Sequence, residues 1–577
     1  MLIDHFFQNA FRYDAEDMRA GKSAVLLEIG TGLLLFPLLV FVLTTLWFVV
    51  GGAIAPVFAW GVLITSAAGA LLISRSLFKS GWRFAPLATF VLGTLAVLAT
   101  MIVHDTSMDG QHYHFQAFYA LAEGWNPLHG SAQPPVIGDP ITPWAIHYPR
   151  AGWLFSANLM AAGFPLAAVK SLNFLALFGT AALVGGMLFR SGFSGLFAAV
   201  LTAVTVLNPV VLSQLFTSMN DGLFGHCMII FGVTVAGWLH YGDRRLLVAG
   251  IAAMMLALNL KFSAIPIFVM LCAAACAGAF IARGQQVAII TGAALLASAF
   301  AAIVLLGWSP YMQNFLDHGH VFHPIMGDQA VNIMTGEGPA LDNTPDVLTE
   351  KSGLERFFFS LFSETHSGFY TLPEMKFPFT ISPSELRASG GVDIRLGGFG
   401  PFFSGIVVLA VAGALALVIR PARRNPVMLG LLFAAATFLV TVLIMPQNWW
   451  ARYVPQFWFV PVLIAAAALT TNKRPLQILG ALIAGIMLLN AALVGTAGFW
   501  LTETRSAEAS TQISRLAETG EAYCIYPDMV QSRIQMMREA GISARYTPEA
   551  EVACPDPEEI AAYGPDRFGG KICACPE

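Results

Sequence analysis

The sequence predicts an all-α polytopic membrane protein of about 13 transmembrane helices, with large extracytoplasmic loops and a small mixed α/β C-terminal domain. Composition, apolar stretches and the placement of basic residues predict it. Of 577 residues, 56% are hydrophobic and 11% charged, where a soluble chain carries about 25% charged. So few charges cannot make an ordinary water-facing surface. The formal net charge of −4 leaves no electrostatic footprint for nucleic acid. Membrane lipid is the expected surrounding.

Apolar stretches near the roughly 17 to 25 residues that hydrocarbon requires fall at 25–50, 52–74, 84–103, 165–189, 192–208, 221–241, 245–260, 261–281, 286–307, 403–420, 427–446, 453–471 and 476–499. Basic residues order them. Connections assigned to the cytoplasm hold Arg75, Lys79 and Arg83; Arg190; Arg244 and Arg245; Arg283; Arg420, Arg423 and Arg424; Lys473 and Arg474, as the positive-inside rule requires. A shift by one helix would reverse the pattern. The expected organisation is a cytoplasmic tail over 1–23, added helices over 24–83, a main transmembrane domain over 84–500 with outer loops 104–150 and 308–402, and a cysteine-bearing domain over 501–577. Residues 1–22 are polar and mixed in charge, which reads as a cytoplasmic tail rather than a signal peptide. The expected location is a bacterial inner membrane, with the C-terminus periplasmic.

Cys227, Cys272 and Cys276 lie in apolar helices and read as packing residues. Cys524, Cys554, Cys573 and Cys575 lie in the tail. A Cys573–Cys575 bridge is sterically disfavoured, which leaves two of the three pairings. A small metal site or free thiols is the alternative; the oxidising compartment favours disulfides. Helices near 507–519 and 529–540 and an apolar strand near 522–525 are expected there.

The sharpest signal is the run from His104 to Gly130, HDTSMDGQHYHFQAFYALAEGWNPLHG, directly after an apolar helix. With a helix starting near Asp109, the residues Asp109, His112, Tyr113 and Gln116 share one face. Phe115, Phe118, Tyr119 and Ala122 form an apolar strip suited to a helix lying in the membrane interface. Gly124 and Asn126-Pro127 mark its stop. Functionally, Asp109 reads as a general base where a water-soluble acceptor meets a lipid-borne donor. Taken alone, it also reads as a helix N-cap, and the two roles could be divided between Asp105 and Asp109.

Other runs join it. Trp308-Ser309-Pro310-Tyr311-Met312-Gln313-Asn314 leads to His318-Gly319-His320-Val321-Phe322-His323-Pro324. Asn259-Leu260-Lys261-Phe262 and Trp449-Trp450-Ala451-Arg452-Tyr453-Val454-Pro455 stand at helix ends. Together these runs resemble elements of the GT-C superfamily of polytopic membrane glycosyltransferases, such as the protein O-mannosyltransferase and lipid A aminoarabinose transferase families. An aspartate in a first outer loop followed by Tyr-His and a Leu-x-x-Gly close, a P-Y-x-x-N…G-N-P-x-Y-P run, a T-K-F element and an R-Y-x-x-P element carry the likeness over roughly residues 84 to 470. His320 and His323 stand where the family commonly has Asn and Tyr. The resemblance implies Asp109 as catalytic base, with Asp105 as fallback. It also implies substrate contacts from His112, Tyr113, His114, Tyr311, Asn314, His320 and His323.

Lys261 and Arg452 fall near outer helix ends, against the positive-inside pattern. Binding the donor phosphate would explain them, since cationic donors stabilise an anionic leaving group. Snorkelling to headgroups is the plainer explanation. Nine histidines fall in outer regions, at 104, 112, 114, 129, 147, 318, 320, 323 and 366. A divalent metal is the one cofactor they leave open. Their spacing matches no compact zinc motif, and polar packing is the plainer reading. Glu355, Glu364, His366, Asp393 and Arg395 are candidates for acceptor binding, and Asp221 reads as a helix cap.

The expected function is transfer of a sugar from a polyprenyl-phosphate-linked donor to a glycan, lipid or protein acceptor on the periplasmic side. The alternatives are a lipid-linked glycan transporter or flippase, or a glycan polymerase or ligase using a lipid diphosphate donor. Transporters carry ionisable groups deep in the membrane and broken helices in paired halves; here charges gather at helix ends.

Overall fold

Apolar runs without water must satisfy their backbone internally, and the α-helix does so within one segment. A computed structural model describes residues 16–129, 134–138, 140–340, 342–367, 374–419, 425–548, 557–561 and 570–575. Each expected apolar stretch coincides with a helix: α1 Glu16–Val49, α2 Pro56–Phe78, α3 Ala85–Thr100, α4 Leu172–Arg190, α5 Gly195–Val206, α6 Asp221–Tyr241, α7 Arg244–Leu258, α8 Ala264–Arg283, α9 Gln285–Phe300, α10 Phe403–Ile419, α11 Pro426–Leu443, α12 Phe459–Leu469 and α13 Arg474–Thr519. Eight helices among the described residues are long and apolar enough to cross a membrane; α3, α5, α10 and the segment containing α12 are apolar but shorter. The architecture is that of a helical membrane protein.

Packing separates core helices from lipid-facing ones. α6 is buried along most of its length, from Asp221 to Trp238. By contrast Leu72 on α2, Ile281 on α8 and Leu296 on α9 are 71%, 78% and 73% exposed. Apolar surface of that extent needs hydrocarbon around it. α1 crosses α4 where two glycines meet: a Cβ on Gly30 would stand 2.7 Å from the Gly179 carbonyl oxygen. Small residues permit such close backbone approach.

Basic helix ends converge. Arg75 pairs with Glu28 at 3.1 Å, and Arg190 and Arg245 share Asp243 at 2.7 and 2.6 Å. Arg245 also donates to Leu77 O, and Arg283 to Leu239 O and His240 O. One end of α2, α4, α6, α7 and α8 therefore holds this basic set. Arg420, Arg423 and Arg424 lie outside the described residues.

α13 runs unbroken for 46 residues through the expected boundary at 500. At 1.5 Å per residue it is about 69 Å long, twice a hydrocarbon core, so its polar second half extends beyond the apolar part. The chain then forms a four-stranded sheet in the order β2-β1-β4-β3, from β1 Tyr523–Tyr526, β2 Ala544–Tyr546, β3 Glu558–Glu559 and β4 Lys571–Ala574. β1 pairs parallel with β2 and antiparallel with β4. Cys524 on β1 is bridged to Cys575, which excludes one of the two pairings the sequence leaves open. Cys573 is also disulfide-bonded, and Cys554 lies outside the described residues. This domain packs on loop 104–150: the turn Gly110–His114 touches Asp528–Val530 and Ser532–Glu539. His104 N–H donates to Ser506 Oγ at 2.8 Å.

Candidate functional site

Four separate stretches deliver charge to one point. Asp109 follows α3, Asp221 opens α6, Lys261 lies between α7 and α8, and Arg452 precedes α12. Asp221 and the basic set around Asp243 lie at opposite ends of α6, about 30 Å apart by helical rise. A carboxylate in the first turn of α6 also faces the positive end of the helix dipole.

Arg452 organises the cluster. Its Nη2 donates to Asp109 Oδ2 at 2.7 Å, its Nη1 to Asp393 Oδ1 at 3.0 Å, and its Nε to Asp221 Oδ2 at 3.1 Å. One guanidinium thus serves three carboxylates, a use of its planar fork that lysine cannot reproduce. Lys261 Nζ donates to Asp221 Oδ1 and lies 4.0 Å from the Tyr453 ring centre. Gln214 Nε2 completes the Asp221 shell at 2.8 Å. Burial opposes charge on Arg452, but Asp221, Asp109 and Asp393 outweigh it and hold the guanidinium above its ordinary pKa. Burial keeps the Lys261 ammonium below its ordinary value despite Asp221. Asp221 and Lys261 are deeply buried, whereas the Asp109 and Asp393 side chains retain 15% and 39% exposure. The accessible side of the cluster is therefore its two aspartates.

Tryptophans wall the cluster. The Trp449 and Trp450 rings stack at 5.4 Å. The Arg395 guanidinium lies over Trp450 at 4.1 Å and reaches Asp393 Oδ2 at 3.5 Å. The indole nitrogens of Trp449 and Trp450, both amide atoms of Gln111, and His112 Nδ1 are buried without a partner among the described residues. Buried polar atoms are normally paired, so these five side-chain atoms stand out as unsatisfied.

The structure corrects the local reading of loop 104–150. Asp109 has helical backbone angles and makes no capping hydrogen bond; its oxygen serves Arg452 instead, and Tyr113 O–H donates to it at 3.4 Å. A π-helical turn, Gly110–His114, leads into the helix Phe115–Ala122. Phe115 and Phe118 are packed inside protein rather than in a lipid interface, because the helix Ala151–Ala161 packs on this helix where the sequence shows only its amphipathic stripe. Asp221 is not a cap either; Lys261, Arg452 and Gln214 take its oxygens. His114 Nδ1 accepts from Trp153 Nε1 at 2.7 Å.

Asp105 uses its carboxylate locally. Oδ1 accepts from the Ser107 N–H at 2.9 Å and hydroxyl at 2.6 Å, and Oδ2 from the Ser218 N–H at 2.7 Å. Burial pushes its pKa up.

Tyr311, Asn314, His320 and His323 form a second group, separate from the Arg452 cluster. Tyr311 O–H donates to Leu258 O at 2.5 Å. Asn314 Nδ2 donates to His147 O and His323 O at 3.0 and 2.9 Å. His320 Nδ1 accepts from Phe322 N–H at 3.1 Å. A chain of rings joins the two groups: Tyr113 meets Trp144, which stacks on Tyr148 at 4.1 Å; Tyr148 then meets Phe262, and Phe262 meets Tyr311. Sequence reasoning read Asp221 as a cap, named Asp393 only among the acceptor-binding candidates, and missed Tyr148. Asp393 beside Arg395 in an outer loop was the only hint of its part.

Comparison with protein-family models, with curated proteins and with solved structures yields no match.

Proposed function

We propose that the chain is a GT-C-like membrane glycosyltransferase of about 13 spans, taking a sugar from a polyprenyl-phosphate-linked donor on the periplasmic side. The supporting observation is that Asp109 and Arg452, read from the sequence as base and phosphate ligand, meet at 2.7 Å beside Lys261 and Asp221. The site lies at the end of α6 away from the basic set, as a donor in the outer leaflet requires.

In the reaction the acceptor hydroxyl oxygen attacks the anomeric carbon and gives its proton to Asp109. The bond from that carbon to the phosphate oxygen breaks, and its electron pair leaves with the polyprenyl phosphate. Arg452 and Lys261 stabilise the charge that develops there. An arriving phosphate competes with Asp109 for Arg452 Nη2. The carboxylate is thus released from its ion pair when a base is needed, while Asp221 keeps both cations oriented.

Purified protein in nanodiscs, incubated with a panel of polyprenyl-phosphate sugars, tests the reading by donor consumption. Turnover with one donor, lost in a folded Asp109→Asn variant, is the expected result. Equal turnover in wild type and variant would remove Asp109 as base. No turnover with any donor, together with movement of labelled lipid-linked sugar across proteoliposomes, would replace the reading with transport.

A further inference from the structure

Loop 104–150 and loop 308–402 meet at three imidazoles. The ring centres of His147 and His318 are 5.1 Å apart, those of His147 and His323 4.8 Å, and those of His318 and His323 3.7 Å. One ligand nitrogen from each lies within 4.8 Å of the others. Three aromatic bases have no electrostatic reason to gather in this way, and packing alone would be served better by apolar rings.

The tautomers can be read from the hydrogen bonds. Asn314 Nδ2 donates to two backbone carbonyls, of His147 and of His323. That fixes the amide so that Oδ1 is the atom facing His147 Nδ1, at 2.9 Å. An amide oxygen can only accept, so His147 Nδ1 carries the hydrogen and Nε2 keeps a lone pair. His318 repeats the arrangement, with Nδ1 2.9 Å from Gln329 Oε1. An imidazole that donates one N–H to an amide oxygen and presents its other nitrogen is how protein metal sites orient their ligands. The third member, His323, is 6% exposed, and its Nδ1 is buried without a hydrogen-bond partner among the described residues.

We infer that His147, His318 and His323 bind one transition-metal ion of the zinc class, tying loop 104–150 to loop 308–402. Three imidazole nitrogens and no carboxylate suit Zn2+ and its neighbours rather than Mg2+ or Ca2+, which require oxygen. Metal–nitrogen bonds of about 2.0 to 2.1 Å give nitrogen separations of roughly 3.3 to 3.4 Å in a tetrahedron. Closing from 4.8 Å to that spacing requires the His318 and His323 rings, stacked with 9° between their planes, to rotate apart so that both lone pairs aim at one point. The fourth position is left to water or to a ligand.

The sequence conceals this site because its members are far apart, at 147 on one side and 318 and 323 on the other. His320 lies between two of them but turns Nδ1 to the Phe322 N–H, and it is the natural control.

The test uses full-length protein in detergent, stripped with a chelator and kept non-reducing so that the tail disulfides stay closed. Zn2+ is titrated against a chromophoric competitor, and bound metal is counted by elemental analysis. One Zn2+ per chain is expected, with affinity reduced tenfold or more in His318→Asn and His323→Asn and unchanged in His320→Asn; Mg2+ should not compete. Co2+ in place of Zn2+ should show the visible absorption of a low-symmetry nitrogen site in the wild type, which gives an answer even where His323→Asn fails to fold. No stoichiometric Zn2+, wild-type affinity in His318→Asn, or equal loss in His320→Asn would overturn the inference.

Discussion

Arg452 Nη2 stands 2.7 Å from Asp109 Oδ2 although 343 positions of sequence separate them. The same guanidinium also holds Asp221 and Asp393, so the two residues are unequal in what their loss leaves behind. Without Asp109, Arg452 keeps two carboxylates. Without Arg452, three carboxylates lose their shared cation; Asp221 retains Lys261 and Asp393 retains Arg395, which leaves Asp109 with the Tyr113 hydroxyl. Breaking a buried pair costs about 3 to 5 kcal/mol when a charge is left uncompensated. Arg452→Ala should therefore lower the unfolding temperature of the detergent-solubilised protein well below that of Asp109→Asn, and Arg452→Lys should recover only part of the difference. Equal melting of the alanine and asparagine variants would refute the hub role of Arg452.

Acid should destabilise the loop that carries Asp109. Burial pushes His114 down to about 3 and His112 to about 4, the nearby carboxylates notwithstanding. The unfolded chain binds these protons near pH 6.5, so it takes up more protons than the folded chain between 6.5 and the folded values. Stability is full above 6.5 and falls as pH drops below it, by about 1.4 kcal/mol per pH unit per group. His114 adds a specific reason, because protonation of Nδ1 removes the acceptor for Trp153 Nε1. His114→Gln keeps an acceptor and does not titrate. Its melting temperature should change less between pH 7 and pH 5 than that of the wild type, and an identical pH slope would count against this origin.

The helices were legible because a run of apolar residues has one way to satisfy its backbone in hydrocarbon. The chemistry of the site was legible in part. Asp109, Lys261 and Arg452 stood out as polar groups at apolar helix ends. Asp221 did not, since an acidic first-turn residue has a local explanation as a cap, and nothing local reveals that Lys261 and Arg452 come to it from 40 and 231 positions away. The burial of Phe115 and Phe118 was hidden for the same reason: an amphipathic stripe does not say whether lipid or protein covers it. His147 went ungrouped because metal-site reading by spacing sees one segment at a time.

The Cys524–Cys575 bridge closes a loop of 51 residues. Constraint of the unfolded chain by a loop of that length is worth about 4 kcal/mol. The strand β1 that carries Cys524 is central in the sheet, paired on both sides. Cys524→Ser should expose residues after Thr519 to protease while the apolar helices resist. Alkylation mass tagging of the untreated protein should find Cys524 and Cys575 blocked. Free reaction of both thiols in protein made under oxidising conditions would exclude the bridge.

Lys261 offers a separate test of the donor side. In Lys261→Met, Asp221 still has Arg452 at 3.1 Å and Gln214 at 2.8 Å, so no carboxylate is orphaned and the cluster keeps its geometry. The loss should therefore fall on phosphate rather than on folding. If Lys261 stabilises charge only as the phosphate leaves, kcat falls and KM for the donor stays; if it holds donor and transition state alike, KM rises with kcat unchanged. The ion pair with Asp221, which holds the ammonium in place, favours the first outcome. A drop of about 10²-fold or more in kcat is expected, the scale on which removing one preorganised donor from a developing negative charge acts. Wild-type kcat and KM in a folded Lys261→Met would reduce Lys261 to a structural partner of Asp221.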